Sequence, residues 1–481
     1  MFLATSDSVV NSPDMLTVFN PATEAVLAAV PRTTQPQFVS AIEQAGHAFG
    51  RWRRDEMGRR DALRRCAAIL RERTHTFELA TLLTQEQGKP KREAVAEVFA
   101  AAHWFASMAE LEMPAERLPT AHGIAEIQHD PLGIVGAITA WNFPVFLAAC
   151  KIAAALLPGN VVLLKPSPFT PLSTMRLVEM LTQNEAGGGG PLPQGVVTAL
   201  AGDSELGNWF VQSDQVAHVS FTGSVEVGKR ICKTAAESLK PVTLELGGND
   251  AAIVLADADL PLITPRLFWG AFTNAGQFCT GIKRLYVQEP VFAQVVGKLS
   301  QLARETIVGD GLKPKTQMGP LTHQGQFRRI IDLVERARQR GATVVAGGEP
   351  LPGRGYFYPP TIITGAGEED PLVAEEQFGP VLPVQSFRAV DEVIHRANST
   401  KFGLGGSVWT RDERWAARIA DGLECGTVWI NQHGALDPLI PFGGRRQSGI
   451  GCENGWAGVA EFTKRKVIRH SPVPAHDTAE S

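Results

Sequence analysis

The chain has 481 residues, of which 44% are hydrophobic and 20% are charged, as in an ordinary globular protein. This length exceeds what one hydrophobic core supports, so we expect two or three structural units. The net charge of −4 gives no basic field, which argues against nucleic acid and against an anionic membrane surface as partners. No apolar run reaches the roughly 18 residues of a membrane span. The absence of basic residues before Arg32 is unlike a signal peptide, so we expect a soluble, cytoplasmic protein.

Six cysteines are too few and too scattered for a disulfide framework, which favours a reducing compartment. None of them forms a CxxC pair or a cluster with histidine at metal-ligand spacing, so we predict no metal site. Because most free cysteines are small buried hydrophobes, any one of them is inert by default. They are Cys66, Cys150, Cys232, Cys279, Cys425 and Cys452.

In chain order, the predicted elements begin with helices. Apolar residues recur at helical spacing from Gln37 to Leu111. From Leu132 onward, short β-branched runs alternate with amphipathic segments such as VFLAACKIAAALL and STMRLVEMLTQ. The first predicted strands are GIVGAIT, VVLLK, VVTAL and VAHVSFTG. A glycine run at 187–190 predicts a flexible loop, and the tail SPVPAHDTAES predicts a disordered end.

A second series of strands and helices follows Glu245. Its predicted strands are AAIVLA, KRLYVQ, TVVAGG, VLPVQSF, LGGSVWT and GTVWIN. The repeated β-α order predicts an α/β fold with open, mostly parallel sheets and ligand sites at the carboxyl ends of strands. Two such series in one chain suggest a cofactor half and a chemistry half with a cleft between them.

Cys279 is the cysteine whose surroundings suggest chemistry. It lies in NAGQFCTGIKR, between two glycines and among polar residues, at a turn that leads to a predicted strand. A thiol in such a place can be exposed and activated as a thiolate. Taken alone, a structural cysteine remains the commoner case.

Two polar residues stand at predicted strand ends. Glu245 closes the run VTLE before a glycine pair, where α/β proteins place acids and bases, although a strand-end salt bridge would explain it equally well. Asn142, in TAWNFPVF between a strand and a helix, could donate its amide to an oxyanion or simply cap the helix.

Other strand ends suggest phosphate and ribose contacts. Lys165 puts a cation after the strand VVLLK, and FTGSVEVGKR predicts a strand, a turn and a helix start. The Gly223–Ser224 turn and Gly228 would let a helix N-terminus approach a pyrophosphate. The spacing differs from GxGxxG, so an ordinary Rossmann fingerprint is absent.

Eight strings together resemble the aldehyde dehydrogenase superfamily, over residues from about 20 to about 468. They are AWNFP, LLKPS, FTGS, LELGGND, GQFCTGIKR, EEQFGPVLPV, KFGLGGSVWT and IPFGGRRQSGIG, in the family's order and at close to its spacing. One string is easily matched by chance, whereas eight in order are not.

The resemblance implies an NAD(P)-dependent, non-acylating oxidation of an aldehyde to a carboxylic acid. The Cys279 thiolate would form a thiohemiacetal whose oxyanion is held by the Asn142 amide and the Cys279 backbone N–H. After hydride transfer to the nicotinamide, Glu245 would activate the water that hydrolyses the thioester. Lys151 resembles the family's lysine that supports proton movement near this site.

The same resemblance implies the cofactor contacts, with NAD or NADP as cofactor. Glu376 would hold the nicotinamide ribose, and Phe378 would pack beside the nicotinamide. The other residues implied for cofactor binding are Trp141, Lys165, Ser167, Pro168, Thr222, Gly223, Ser224, Gly228 and Leu246.

One position departs from the family's pattern. Many relatives have a glutamate shortly after the Lys-Pro pair, where it accepts hydrogen bonds from the adenosine ribose, and this sequence has Pro168 there. The missing carboxylate would otherwise repel a 2′-phosphate. We therefore expect weakened selectivity for NAD and tolerance of NADP, and the preference stays open.

The resemblance also implies three parts. The dinucleotide-binding domain would comprise 1–112 and 132–247, and the catalytic domain 248–447. A small β-flap, formed by 113–131 and 460–474, would pair sheet edges across a subunit interface, so a homodimer or homotetramer is expected.

The substrate pocket is implied by position and is mainly apolar. Its candidates are Phe146, Leu147, Cys150, Phe278, Thr280, Leu436, Asp437 and Leu439. No arginine stands among them to pair with a substrate carboxylate, which favours uncharged aliphatic or aromatic aldehydes over semialdehydes. Asp437 could instead face a cationic aminoaldehyde, or solvent.

Two rival functions remain at this point. In an acylating dehydrogenase, coenzyme A rather than water would resolve the thioester, and the presence of Glu245 argues against this. A non-catalytic scaffold could keep the fold, but it would not need Cys279, Glu245, Asn142 and Glu376 together.

Overall fold

The computed structural model describes residues 12–114, 116–183 and 189–471. Three predictions concern residues outside these ranges: the N-terminus at 1–11, the glycine loop at 187–188 and the tail after Ser471. The α-helices are α1 Gln35–Trp52, α2 Glu56–Arg71, α3 Arg73–Gln87, α4 Lys91–Glu110, α5 Pro144–Leu156, α6 Pro171–Thr182, α7 Ser204–Gln212, α8 Val225–Ala235, α9 Leu260–Phe272, α10 Glu289–Glu305, α11 Gln324–Gln339, α12 Pro371–Ala374, α13 Val390–Ala397, α14 Glu413–Gly422 and α15 Gly455–Ala460.

The strands follow the predicted α/β alternation. They are β1 Met15–Phe19, β2 Val26–Pro31, β3 Glu116–Thr120, β4 Gly123–Pro131, β5 Ile134–Ile138, β6 Val161–Lys165, β7 Val197–Ala199, β8 Val216–Thr222, β9 Val242–Glu245, β10 Asp250–Val254, β11 Ile282–Gln288, β12 Thr343–Ala346, β13 Thr361–Thr364, β14 Val381–Phe387, β15 Gly405–Trp409, β16 Thr427–Ile430, β17 Gly449–Ile450 and β18 Thr463–His470.

The predicted helical region is confirmed as the four helices α1 to α4. Local signals divide it: Asp55 caps α2 by accepting a 2.9 Å hydrogen bond from the Gly58 N–H, and α3 ends at Gly88, whose φ of 100° suits glycine. The apolar face of α1 includes Phe38, Ile42 and Trp52, and it packs into the largest hydrophobic core.

The first large sheet contains the order β17-β9-β8-β5-β6-β7. Its strand pairs are parallel except the edge pair β17 and β9. Strands β5 and β6 are buried along their whole length, because helices cover both faces of a parallel sheet and favour continuous apolar runs.

The second large sheet has the order β12-β13-β14-β11-β10-β15-β16 and is parallel except for the pair β12 and β13. The predicted open, mostly parallel architecture is therefore confirmed. Strand β13 was not predicted, because its four residues TIIT are too short to show a periodicity. The β1–β2 hairpin was likewise missed.

A third, antiparallel sheet has the order β18-β4-β3. Its strands fall inside the segments 113–131 and 460–474 that the sequence suggested for a β-flap. The pairing runs from Thr463 opposite Pro131 to His470 opposite Ile124, so distant parts of the chain meet residue by residue. The domain limits themselves stay a prediction.

The carboxyl ends of the strands in the first large sheet carry polar residues. Lys165 ends β6, Thr222 ends β8 and Glu245 ends β9. The parallel pairing of β8 with β9 sets Thr222 directly opposite Glu245. This edge is where open α/β sheets bind ligands. In the described part of the chain, no helix combines the length and apolarity needed to cross a membrane.

Candidate active site

A cavity of about 1040 Å³ opens at these strand ends and extends to the second large sheet. It brings together most of the residues that the sequence singled out. Its lining includes Asn142, Trp141, Phe146, Leu147, Cys150, Thr222, Gly223, Ser224, Glu245, Leu246, Phe278, Cys279, Thr280, Glu376, Phe378 and Leu436. A space of this size accommodates both a small substrate and part of a larger cofactor.

The loop that carries Cys279 has an unusual backbone. Asn274, Ala275 and Gly276 all have positive φ, at 51°, 54° and 71°, just after α9. At Gly276 a side chain would be impossible, because a Cβ atom would lie 2.2 Å from the Gly379 carbonyl oxygen. The Lys283 ammonium donates a 2.6 Å hydrogen bond to the Gly276 carbonyl and so helps to hold this turn.

The Cys279 thiol is half-buried and packs with Leu436 against Leu404, Trp429 and Phe442. Removal from water, and then the nearby carboxylates of Glu376, Glu245 and Asp250, raise its pKa to about 12, whereas the cation of Lys283 opposes the shift. The thiol therefore holds its proton at neutral pH until a base in the cavity accepts it.

Asn142 is anchored through its backbone, which leaves its side chain available. Its carbonyl accepts hydrogen bonds from the Lys89 ammonium at 2.8 Å and from the Asn274 amide at 3.0 Å. Asn142 is buried, and its side-chain oxygen has no hydrogen-bond partner in the described structure. Within residues 12–114, 116–183 and 189–471, neither the Asn142 side-chain amide nor the Cys279 N–H donates a hydrogen bond.

Glu245 is buried at the end of β9, and its Oε1 atom has no hydrogen-bond partner in the described structure. Burial raises the pKa of Glu245 well above its usual range, the negative charge of Glu453 adds to the shift, and Lys151 opposes it. A carboxylate with a raised pKa is a stronger base than an exposed one, as water activation requires.

Lys151 does not line the cavity but lies directly behind it. Its buried ammonium donates to the Ser220 hydroxyl at 2.8 Å and to the Glu453 carboxylate at 2.5 Å. Glu453 lines the cavity and acts electrostatically on Glu245. The chain Lys151–Glu453–Glu245 thus places a cation and two carboxylates in series beside the cavity.

Glu376 lies at the same cavity, close to the backbone after Glu245. Its Oε1 atom accepts a 3.1 Å hydrogen bond from the Gly248 N–H, and a Cβ atom at Gly247 would lie 2.3 Å from its Oε2 atom. Burial raises the pKa of Glu376 to about 7, although the cation of Lys283 opposes the shift. A side chain at position 247 would therefore push this carboxylate out of its present position.

Aromatic rings border the part of the cavity that contains Trp141 and Phe378, two residues predicted to bind the cofactor. Trp141 and Phe378 meet edge to face with ring centroids 5.2 Å apart. His323 also meets Trp141 edge to face, and it stacks on Phe169 at 4.2 Å. Phe378 has a positive φ of 55°, so its side chain is directed by a backbone turn that few bulky residues adopt.

The predicted phosphate and ribose contacts divide into two groups. Thr222, Gly223, Ser224 and Leu246 line the cavity. Ser224 also caps α8, since its hydroxyl accepts a 3.4 Å hydrogen bond from the Val227 N–H.

Lys165, Ser167, Pro168 and Gly228 do not line the cavity. The Lys165 ammonium is buried, its one hydrogen bond to a described residue is a 3.3 Å bond to the neighbouring Pro166 carbonyl, and burial lowers its pKa to about 8. The Ser167 hydroxyl accepts from the Phe169 N–H at 3.3 Å.

The predicted substrate residues also divide. Phe146, Leu147, Cys150, Phe278, Thr280 and Leu436 line the cavity, but Asp437 and Leu439 do not. The Asp437 carboxylate accepts a 2.8 Å hydrogen bond from the Leu439 N–H, and Leu439 is half exposed. These two residues therefore form a turn outside the cavity, because a short Asp side chain readily binds the backbone two residues onward.

Several residues at the site were missed by the sequence reasoning. Glu453 follows the last matched string by only a few residues, so extending that match would have found it. Lys89, Glu97, Trp104 and Asn454 carry no local signal, since their importance comes from contacts across the fold. The cavity also includes Arg266, an exposed arginine that makes no ion pair within the described residues.

Comparison with known proteins decides the family. The profile of the aldehyde dehydrogenase family matches residues 9–468. The chain belongs to this family. It is therefore an oxidoreductase that acts on aldehydes, as the eight strings predicted.

Curated relatives cover the chain almost completely. The betaine aldehyde dehydrogenase of Rhizobium etli is 38% identical, over 93% of this chain and 92% of the relative. The phenylacetaldehyde dehydrogenase of Pseudomonas fluorescens is 38% identical, over 95% of this chain and 93% of the relative. The chain thus resembles whole aldehyde dehydrogenases with different substrates.

Solved structures of other aldehyde dehydrogenases share the fold. Lactaldehyde dehydrogenase from Escherichia coli superposes with a TM-score of 0.91 at 34% identity, over 95% of this chain and 96% of that chain. An NAD+ complex of the Bacillus cereus aldehyde dehydrogenase gives a TM-score of 0.91 at 33% identity, over 98% and 100%. An NADP-dependent enzyme of E. coli gives 0.89 at 33% identity, over 95% of both chains. The predicted cofactor class, NAD or NADP, agrees with both descriptions.

Proposed function

We propose that this aldehyde dehydrogenase oxidises an uncharged aliphatic or aromatic aldehyde to its carboxylic acid, with NAD or NADP as the hydride acceptor. The observation that carries the proposal is the cavity shared by Cys279, Asn142, Glu245 and Glu376. It combines a nucleophile, an oxyanion donor, a base and a carboxylate suited to ribose hydroxyls in one place.

The first step is attack by Cys279 on the carbonyl carbon. Because its pKa is raised to about 12, the thiol must lose its proton to a base, and Glu245 in the same cavity is the base we assign. The new C–S bond turns the carbonyl oxygen into an oxyanion. The Asn142 amide and the Cys279 N–H, which donate no hydrogen bond elsewhere in the described structure, stabilise it.

A bound nicotinamide supplies the hydride acceptor, which leaves a thioester on Cys279. Glu245 then takes a proton from water, the water oxygen attacks the thioester carbon, and the C–S bond breaks to release the acid and restore the thiolate. The Lys151–Glu453 ion pair behind Glu245 can pass the proton onward, since Nζ and Oε1 are 2.5 Å apart.

The residues present fit a dinucleotide. Thr222 has a buried hydroxyl with no partner in the described structure, and the buried Lys165 ammonium has only one weak hydrogen bond. The helix α8 begins at Val225, directly after its cap Ser224 on the cavity lining, and the N–H groups of its first turn suit a phosphate. Gly247 leaves space for Glu376 to hold ribose hydroxyls, with Trp141 and Phe378 alongside.

The apolar lining supports an uncharged substrate. The cavity that contains Cys279 is lined by the apolar side chains of Phe146, Leu147, Phe278 and Leu436. Arg266 favours a second candidate, an aldehyde that ends in a carboxylate, because the cavity includes this unpaired cation. We rank it second, since an arginine exposed to water contributes little to binding an anion.

Two variants test the chemistry. Cys279→Ser should lower aldehyde oxidation by at least a thousandfold while NADH binding, measured by fluorescence, stays within about threefold. Glu245→Gln should slow both the deprotonation of Cys279 and the hydrolysis of the thioester, so aldehyde oxidation should fall by at least about a hundredfold, and any acyl-enzyme that forms should persist as the acyl mass on Cys279 in acid-quenched protein. A fully active Cys279→Ser enzyme would contradict the mechanism.

A substrate panel tests the specificity and the rivals. Hexanal, benzaldehyde, succinate semialdehyde and 4-aminobutanal should be compared by kcat/KM. We expect hexanal or benzaldehyde to be best. Preference for succinate semialdehyde that Arg266→Gln abolishes would favour the second candidate instead. A rate that depends on added coenzyme A would indicate the acylating reaction.

We also propose that the chain forms a homodimer or homotetramer through the β18-β4-β3 sheet. Strands β18 and β3 are its two edges, and Leu118, Ile124 and Val467 on this sheet are about half exposed. Unpaired edges with exposed apolar residues favour pairing with another chain. Light scattering coupled to size exclusion should give two or four times the monomer mass, and a monomer would contradict the proposal.

A further inference from the structure

Trp104 and Asn454 form a buried polar pair on the cavity wall. The Trp104 indole N–H donates a 2.8 Å hydrogen bond to the Asn454 side-chain oxygen, across 350 positions of sequence. Trp104 belongs to α4, and Asn454 immediately precedes α15. The two residues are 5% and 7% exposed, and both line the cavity that holds Cys279.

The indole fixes the orientation of the Asn454 amide. Because an indole N–H can only donate, the atom that faces Trp104 must be Oδ1, and the NH2 group must occupy the other side. Among the described residues, this NH2 group donates no hydrogen bond. Asn454 is 7% exposed and lines the cavity, so this free donor can bind an acceptor that a ligand brings into the cavity.

The backbone at Asn454 is strained in a way that glycine would relieve. Its φ of 65° and ψ of 161° lie in a region that is essentially restricted to glycine. Neighbouring hydrogen bonds hold it there: Phe442 and Glu453 exchange two bonds of 2.8 and 2.7 Å, and the Asn454 carbonyl accepts from Gly458 at 2.9 Å. Because glycine would fit this backbone without strain, the presence of asparagine suggests that its side chain has a function.

The surroundings of the amide are apolar and aromatic. Trp104 meets Phe146 edge to face, with ring centroids 4.7 Å apart, and Leu147 and Cys150 continue the same wall. A substrate ring can pack against this pair of aromatic side chains. The Asn454 NH2 group is therefore a hydrogen-bond donor next to the apolar surface of Trp104 and Phe146, on which the ring of an aromatic substrate can pack.

We propose that Asn454 is a specificity-determining residue that donates a hydrogen bond to an oxygen carried by the substrate. The preferred substrates are then aromatic aldehydes with a methoxy or hydroxyl group on the ring. The ring packs against Trp104 and Phe146, and the ring oxygen accepts from the Asn454 amide. Trp104 is a positioning residue, because it acts only by orienting that amide. This inference rests on the proposed function and names its substrate class.

The test compares 3- and 4-methoxybenzaldehyde with 3- and 4-ethylbenzaldehyde, which have similar size but lack the oxygen. The readout is the ratio of kcat/KM for methoxy over ethyl substrates. Comparing this ratio between enzymes cancels the electronic effect of the substituents. In the unaltered enzyme we expect it to be about tenfold higher than in Asn454→Gly, which relieves the strain and removes the donor. Trp104→Phe should give an intermediate ratio.

Phe146→Leu is the matched control, since it removes an aromatic wall but keeps the amide. It should lower kcat/KM for both substrate types and leave their ratio within about twofold. A merely structural role for Asn454 would instead lower both rates in Asn454→Gly without changing the ratio. That result would overturn the inference.

Assays of the unaltered enzyme alone can also separate the two proposals. If the unaltered enzyme oxidises other aldehydes but none of these four, the inference is wrong and the proposed function stands. If it oxidises no aldehyde at all, the proposed function itself fails. Should the Asn454→Gly protein not fold, the Trp104→Phe ratio decides: an unchanged value contradicts the role of the amide.

Discussion

Lys89 and Glu97 form an ion pair of 2.6 Å in which both side chains are completely buried. The pair supports the oxyanion donor from two directions. Lys89 also donates to the Asn142 carbonyl at 2.8 Å, and Glu97 accepts the N–H groups of Val145 and Phe146 at the start of α5. Lys89 and Glu97, which are distant from Asn142 in sequence, therefore hold Asn142 and the start of α5 in place.

Removing one partner of this pair should destabilise the protein strongly. Lys89→Met leaves the Glu97 carboxylate buried without its cation, and we expect the free energy of unfolding in urea to fall by about 3–5 kcal/mol. The double variant with Glu97→Gln should lose less than the sum of the single losses. Arg418→Met is the control: its pair with Asp391 is exposed, so it should cost less than about 1 kcal/mol. Equal losses of unfolding free energy in Lys89→Met and Arg418→Met would contradict the stabilising role given to the buried pair.

The reactivity of Cys279 towards iodoacetamide should depend on the charge of Glu376. Burial and then Glu376 are the main causes that raise the pKa of Cys279 to about 12. Removing the negative charge favours the thiolate, so Glu376→Gln should speed alkylation at pH 8 by about threefold, equivalent to a pKa about 0.5 lower. Lys283→Met should slow it, because this cation lowers the pKa.

The neighbouring Glu375 provides a control, since it is exposed and pairs with Arg329 at 2.9 Å. Glu375→Gln should leave the alkylation rate of Cys279 unchanged. In all variants the rate should rise with pH throughout the range from 7 to 10, because the thiol is protonated there. A plateau below pH 8 would show that the thiolate is already formed in the free enzyme.

Gly228 should be intolerant of alanine because of its contact with Leu246. A Cβ atom there would lie 2.6 Å from Leu246 Cδ2, and Leu246 lines the cavity beside Glu245. We expect Gly228→Ala to cost about 1–3 kcal/mol of stability and to raise the KM for the cofactor. Gly297→Ala within α10 meets nothing within 4 Å and should stabilise the protein by about 0.5–1 kcal/mol. A stabilising effect at Gly228 would contradict the packing described.

Pro168→Glu should restrict the enzyme to NAD. Pro168 stands where the family resemblance implies a glutamate, and it lies in the turn after Lys165. A new carboxylate there would accept from a ribose 2′-hydroxyl and repel a 2′-phosphate, so kcat/KM with NADP should fall at least tenfold relative to NAD. The unaltered enzyme should use both cofactors. A strong preference for NAD in the unaltered enzyme would refute the role given to Pro168.

The sequence by itself determined the fold class and the principal chemical residues. Continuous β-branched runs such as VVLLK form buried parallel strands because both faces of such a sheet are covered. Cys279, Glu245 and Asn142 were found because each stands within a recognisable string. Each of these features lies within a short stretch of consecutive residues, so the sequence is enough to recognise it.

The tertiary structure alone decided which distant residues serve the site. Glu97 reaches Lys89 within one helical region, but Trp104 reaches Asn454 across 350 positions and Lys151 reaches Glu453 across 302. Such pairs depend on the strand order of the sheets and on the return of the segment with Glu453 and Asn454 to the cavity. Asp437 shows the converse, since its place in sequence suggested the pocket, yet its carboxylate binds a backbone N–H in a turn outside it. Local pattern sets which residues are available, and packing sets which of them meet.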